Sequence, residues 1–246
     1  MSETETILNA VRQVWTSEPR IGPRAPHLGM ELAAGVLTLE GEMPDIAAKK
    51  MALELAAAVP GVEGIVDRLH VTPAERMEDG EIREHLHLAL EQETAFAELA
   101  LSEIVKGVEK TLRQPAERQR GWIRLSVAEG VVTLEGEVPG LEFKRLAGVL
   151  AWWIPGSRDV INGLGITPDE ADNDAEITDA VRMVLEKDPF VNAGQIIVGT
   201  VDAVVTLAGL VPSESEREMA EFDAWYVFGV DRVHNKIALG AFPPGS

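Results

Sequence analysis

Apolar and polar residues alternate in the same way along three stretches of the chain. The runs Val36-Leu37-Thr38-Leu39-Glu40-Gly41-Glu42-Met43-Pro44, Val131-Val132-Thr133-Leu134-Glu135-Gly136-Glu137-Val138-Pro139 and Val204-Val205-Thr206-Leu207-Ala208-Gly209-Leu210-Val211-Pro212 align without a gap. Their period of two predicts a half-buried strand in each. The same distance separates Gly41 from Gly61, Gly136 from Gly156 and Gly209 from Gly229. A fixed register of this kind marks a copied structural unit. The residues between the two glycines have helical period, with Met51, Ala52, Leu55, Ala56 and Val59 on one arc in the first copy. A second alternating run then follows, Ile65, Asp67, Leu69 and Val71, and predicts a third strand.

Each copy also opens on a helical pattern. In the first copy it is Ile7, Ala10, Val11, Val14 and Trp15; in the third it is Ile177, Ala180, Val181, Val184 and Leu185. Pro19 and Pro189 stop these two helices. The second copy's opening helix is predicted at Ile104, Val108, Thr111 and Leu112, before Pro115. That placement leaves residues 79–101 as an insertion, whose Ile82, Leu86, Ala89, Leu90 and Phe96 stay in helical phase with Ile104. A hairpin of Leu28 to Leu32 with the Val36 strand, with counterparts at Ile123 and Ile196, completes the order. The predicted class is α+β: three tandem α-β-β-α-β modules, each a small three-stranded sheet with two helices on one face, plus one inserted helix. The expected spans are 3–73, 103–168 and 174–240 for the modules and 79–101 for the inserted helix. The acidic stretch from Pro168 to Glu176 reads as an extended linker before the third module.

Period two places Gly41 on the core side of its strand with Leu39 and Met43. The facing helix carries Ala52 and Ala56, matched by Ala147 with Ala151 and Ala220 with Ala224. Small residues on both surfaces imply a close helix-to-sheet seam. The opposite side of that helix is Glu54, Ala57 and Ala58 in the first copy, but Val149, Trp152 and Trp153 in the second and Phe222, Trp225 and Tyr226 in the third. Two copies therefore carry a large apolar stripe where water is expected, the sign of an interface. The stripe fits an internal pairing of modules two and three, a protein-binding or self-association surface, or a membrane-facing patch.

The 246 residues, 46% of them hydrophobic, are enough for a real core, and 41 acidic against 22 basic residues give a net charge of −19. A field of that sign disfavours nucleic acid and anionic lipid surfaces. With no Cys in the sequence there is no disulfide, thiolate metal site or Cys nucleophile. His85 and His87 lie two apart, on different sides of a helix, and do not chelate one metal together. His27, His70 and His234 have no identifiable Ser or Cys partner, and Gly163-Leu164-Gly165 sits in a strand without the rest of a dinucleotide fingerprint. No catalytic, cofactor-binding or metal-binding residues are expected, and the chain is not read as an enzyme. The N-terminus has neither the basic start nor the apolar core of a secretory signal, so the expected location is cytoplasmic, or envelope-associated if a leader precedes the sequence.

The pattern Gly-Val-x-x-Leu-x-Gly-x-Val, then a helix carrying Ala, then Gly-Val and a strand with Asn or Asp, resembles the BON family, the bacterial osmotic-stress and nodulation domain. Gly35, Gly41, Gly61, Gly130, Gly136, Gly156, Gly209, Gly229, Asn162 and Asn235 stand at the matching places. The resemblance implies an envelope-associated module that binds phospholipid or other proteins, and it brings no catalytic residues. The leading expectation is a non-catalytic binding or scaffold protein with a protein partner or self-association. The alternative is a peripheral phospholipid-binding or stress-protective, chaperone-like protein.

Overall fold

The computed structural model describes residues 2–114, 120–167 and 172–240. The chain divides into two compact units, residues 1–72 and 73–246. The first runs α1 (Glu3–Ser17), β1 (Gly29–Ala33), β2 (Val36–Met43), α2 (Ile46–Ala57) and β3 (Gly64–Val71). Ser2 and Glu5 close a capping box at the start of α1, and Glu18, the residue before Pro19, is already extended. β1 and β2 form an antiparallel hairpin, and β3 returns through α2 to lie parallel to β2. Leu37, Leu39 and Met43 of β2 pack with Val11 and Trp15 of α1 and Ala52 and Ala56 of α2, so both helices cover one face.

The second unit holds two further copies. The third module repeats the first with α5 (Asp174–Lys187), β9 (Ile196–Val201), β10 (Val204–Val211), α6 (Glu214–Tyr226) and β11 (Arg232–Leu239), in sheet order β11-β10-β9. The middle module comprises α3 (Asp79–Gln92), β4 (Leu99–Val105), β5 (Val108–Arg113), β6 (Gly121–Ala128), β7 (Val131–Val138), α4 (Leu141–Trp152) and β8 (Asp159–Ile166). Its sheet has five strands, ordered β5-β4-β6-β7-β8.

The middle module corrects two expectations. The segment with Ile104, Val108, Thr111 and Leu112 is a β-hairpin, not the opening helix. Its turn residues Lys106 and Gly107 both have positive φ, the two-residue geometry that suits a hairpin's twist. The helix expected over 79–101 ends at Gln92 and is itself the opening helix. One contact shows the equivalence: Asp79 of α3 accepts from the amides of Glu129 and Gly130 in the β6–β7 turn, as Asp174 of α5 does from Asp202 and Ala203 in the β9–β10 turn. The inserted element is therefore the β4–β5 hairpin, whose β4 pairs in parallel with β6. Of the acidic stretch, residues 168–171 lie outside the described residues, and α5 has begun by Asp174.

The central glycines are needed for a different reason from the one expected. Gly41, Gly136 and Gly209 have φ of 142°, 145° and 150°. A Cβ there would lie 2.0 Å from Trp122 O at Gly136, 2.0 Å from Gln195 O at Gly209 and 2.7 Å from Leu28 Cδ2 at Gly41. The close neighbour is the chain entering the adjacent antiparallel strand, not the helix. The alanine row is fully buried in all three copies. In the first it admits an indole, for Trp15 Nε1 donates to Ala52 O at 2.9 Å.

Candidate interaction surface

The stripe on α4 and α6 joins the second and third modules. Val149 and Trp225 are buried, and Trp152, Trp153, Phe222 and Tyr226 are half-buried. The rings of Trp152 and Tyr226 stack with centroids 5.7 Å apart. Trp153 Nε1 donates to Asp223 Oδ1 at 2.8 Å and packs against the middle module's core, where Met183 of α5 also rests. In the first module the equivalent Glu54, Ala57 and Ala58 are exposed.

Polar residues reinforce the joint. Arg145, 1% exposed, donates to Phe228 O and pairs with Asp172. Lys144 lies 4.6 Å from the centre of the Phe228 ring, and burial lowers its pKa. Lys187 at the end of α5 reaches Glu93 after α3 at 2.8 Å. Asp223 is the unusual member: burial pushes its carboxyl up to about 8, the Trp153 hydrogen bond opposes the rise, and neighbouring Asp188 adds to it. Neither Arg145 nor Asp223 is marked as a joint residue by the periodicity of its helix. The repeat alignment held the signal for the second, because Asp223 stands where the other copies have Leu55 and Leu150.

The other positions shared by the copies serve packing within each module. Asn162 on β8 donates to Lys144 O and accepts from the amide two residues on, Leu164; Asn235 on β11 does the same with Arg217 O and Ile237. In the first module Asp67 accepts from the Leu69 amide and pairs with Lys49 at 3.0 Å. This tie fixes the last strand to its helix.

The modules differ most on the sheet faces turned away from the helices. On β2 and β7 those faces carry Glu40 with Glu42 and Glu135 with Glu137, whereas β10 has Ala208 and Leu210. Arg124 on β6 pairs with Glu135 at 2.8 Å. The equivalent pair in the third module is Ile197 opposite Ala208. Ile197 and Val201 are 72% and 69% exposed.

A cleft of about 290 Å³ lies between α4 and α5, lined by Leu141, Glu142, Arg145, Glu176, Asp179, Ala180 and Met183. Among the described residues its one cation, Arg145, is held by Asp172 and Phe228 O. His85 and His87 lie on α3, with His87 paired to Glu91 at 3.3 Å; His70 is on β3, His234 on β11 and His27 in the short 3₁₀ turn before β1. Among the described residues no group of three or more His, Asp or Glu is placed to hold a metal ion, and no helix is long and apolar enough to cross a membrane.

Repeated fold and helix-to-helix joint together define a tandem-module α+β protein. The chain belongs to the BON domain family, whose model matches residues 4–73, 97–168 and 173–241. Two solved structures of CdsD, a structural protein of the type III secretion system of Chlamydia trachomatis, are also similar. One is 14% identical, covering 95% of this chain and 92% of that chain with a TM-score of 0.24. The other, the CdsD C-terminal domain, is 13% identical, covering 98% and 100% with a TM-score of 0.25.

Proposed function

We propose that the chain is a non-catalytic binding or scaffold protein whose tandem BON modules mediate protein–protein interaction. The observation that carries this reading is the placement of shared and variable residues. The positions common to the copies, the glycines, the alanine rows and the Asx ties, act within the fold. The positions that differ lie at the α4–α6 joint and on the outward sheet faces. Val149, Trp152, Trp153, Phe222, Trp225 and Tyr226 act in this reading as an internal joint, holding two modules in fixed register for a partner. Linked modules of this kind combine weak contacts into a useful affinity.

Vesicle binding separates this reading from the phospholipid alternative. Co-sedimentation with phosphatidylcholine vesicles, and with vesicles containing phosphatidylglycerol, at low and high salt, should leave the chain in the supernatant throughout: −19 opposes the anionic surface, and Trp152 and Trp153 are engaged with α6 and not free for the zwitterionic one. Pelleting with either vesicle supports the alternative and contradicts this proposal.

A further inference from the structure

The outer strand β9 differs from every other sheet edge among the described residues. The edges β1, β3, β5, β8 and β11 each carry at least one charged residue, while β9, Ile-Ile-Val-Gly-Thr-Val, has none and no proline. Charged side chains on an edge are the common defence against strand pairing, and β9 lacks it. The structure also shows how this edge is used elsewhere in the chain. β6, the counterpart of β9, has its outer side covered by β4 in parallel. Among the described residues no strand lies beside β9, and Arg182 of α5 donates to Val198 O at 3.2 Å, marking that carbonyl as outward-facing. In the middle module the residue at the place of Arg182 is His87, which bonds Glu91 instead.

We infer that β9 is a self-association edge, at which two copies of the chain pair their β9 strands antiparallel about a two-fold axis at Val198. Pairing centred there puts the N–H and C=O of Val198 opposite those of its partner, and Ile196 opposite Thr200. On the outward face, Ile197 of one copy lies beside Gly199 of the other, a large side chain against an open position, for among the described residues nothing lies within 4 Å of where a Gly199 Cβ would stand. The result is a six-stranded sheet across two third modules, with an isologous interface. A second copy fits because the strand is complementary to itself about this axis, Ile197 against Gly199, and brings no charge of its own. At −19 overall, contact through most of the surface brings like charges together, and the uncharged strand does not. Arg182 leaves Val198 O when the strands pair, keeping its bond to Asp179.

This inference rests on the protein-binding reading and makes the first partner the chain itself. Sedimentation velocity of the full chain over a concentration series should show a monomer–dimer equilibrium. The double variant Ile197→Lys/Val201→Lys, at two exposed positions, should weaken the dimer about tenfold or more, because like charges then meet across the axis. Arg182→Ala should strengthen it. Circular dichroism shows whether each variant is folded. Hydrogen exchange gives a second readout: the amides of Val198 and Thr200 should gain protection as concentration rises, while that of Ile196 already donates to Ala193 O. A chain that stays monomeric, a dimer indifferent to the lysines, or a dimer with no added protection in β9 overturns the inference. A monomer that stays off vesicles and binds another protein overturns self-pairing alone. A β9 dimer that pellets with vesicles overturns the proposed function alone.

Discussion

Asp223 is buried where its equivalents Leu55 and Leu150 are apolar, and its carboxyl has moved from an ordinary 3.8 to about 8. The folded chain keeps that proton over a range in which the unfolded chain has lost it. The associated stability is therefore complete below about pH 4 and falls away as pH rises through about 8. Asp223→Asn should flatten the decline of melting temperature between about pH 5 and pH 8, as read by thermal melts across that range; an unaltered slope contradicts the assignment. Backbone conformation gives a second test. Ala203 sits at φ 59° where the other copies have Gly35 and Gly130, and Gly209 sits at φ 150° against Gln195 O. Ala203→Gly should raise stability, by up to about 1 kcal/mol, and Gly209→Ala should lower it by about 1–3 kcal/mol, both measurable by denaturant titration. The repeat alignment made Gly209 legible as special, but not the reason. Spacing places a residue on a face; it does not say which backbone approaches it.

At the level of elements, the alanine rows and the aromatic stripe make opposite demands on one helix. Ala147 is fully buried on α4, and two more carbons there overpack the seam, so Ala147→Val should cost about 1–3 kcal/mol, and a melt showing no loss would count against the packed seam. On the other side of the joint, a double-mutant cycle of Trp152→Ala and Tyr226→Ala should give a coupling of about 0.5–1.5 kcal/mol, as stacked rings do. A coupling near zero means the rings do not meet. The outlines of the first and third modules are legible from period and punctuation, because α1 and α5 have clear stripes and prolines to end them. The middle module could not. Ile104, Val108, Thr111 and Leu112 satisfy helical spacing, and the decisive signal was the turn pair Lys106-Gly107, which reverses the chain into a hairpin. Once that segment is a hairpin, α3 is free to be the opening helix.

In the whole molecule, the repeats are alike in frame and unlike in what they present. The stripe looked from sequence like a solvent-side anomaly because a helical wheel shows only one element's surroundings. The structure supplies the missing neighbour, α6 for α4, with Arg145, Lys187 and Asp223 tying the same two modules. Modules two and three should then unfold together. Native-state hydrogen exchange of the full chain in rising denaturant tests this most directly, by comparing amides of β7 and β8 with those of β10 and β11. Opening of the four strands at one shared free energy, split into two by Trp153→Phe, is the predicted result; two separate openings in the unaltered chain would contradict the account.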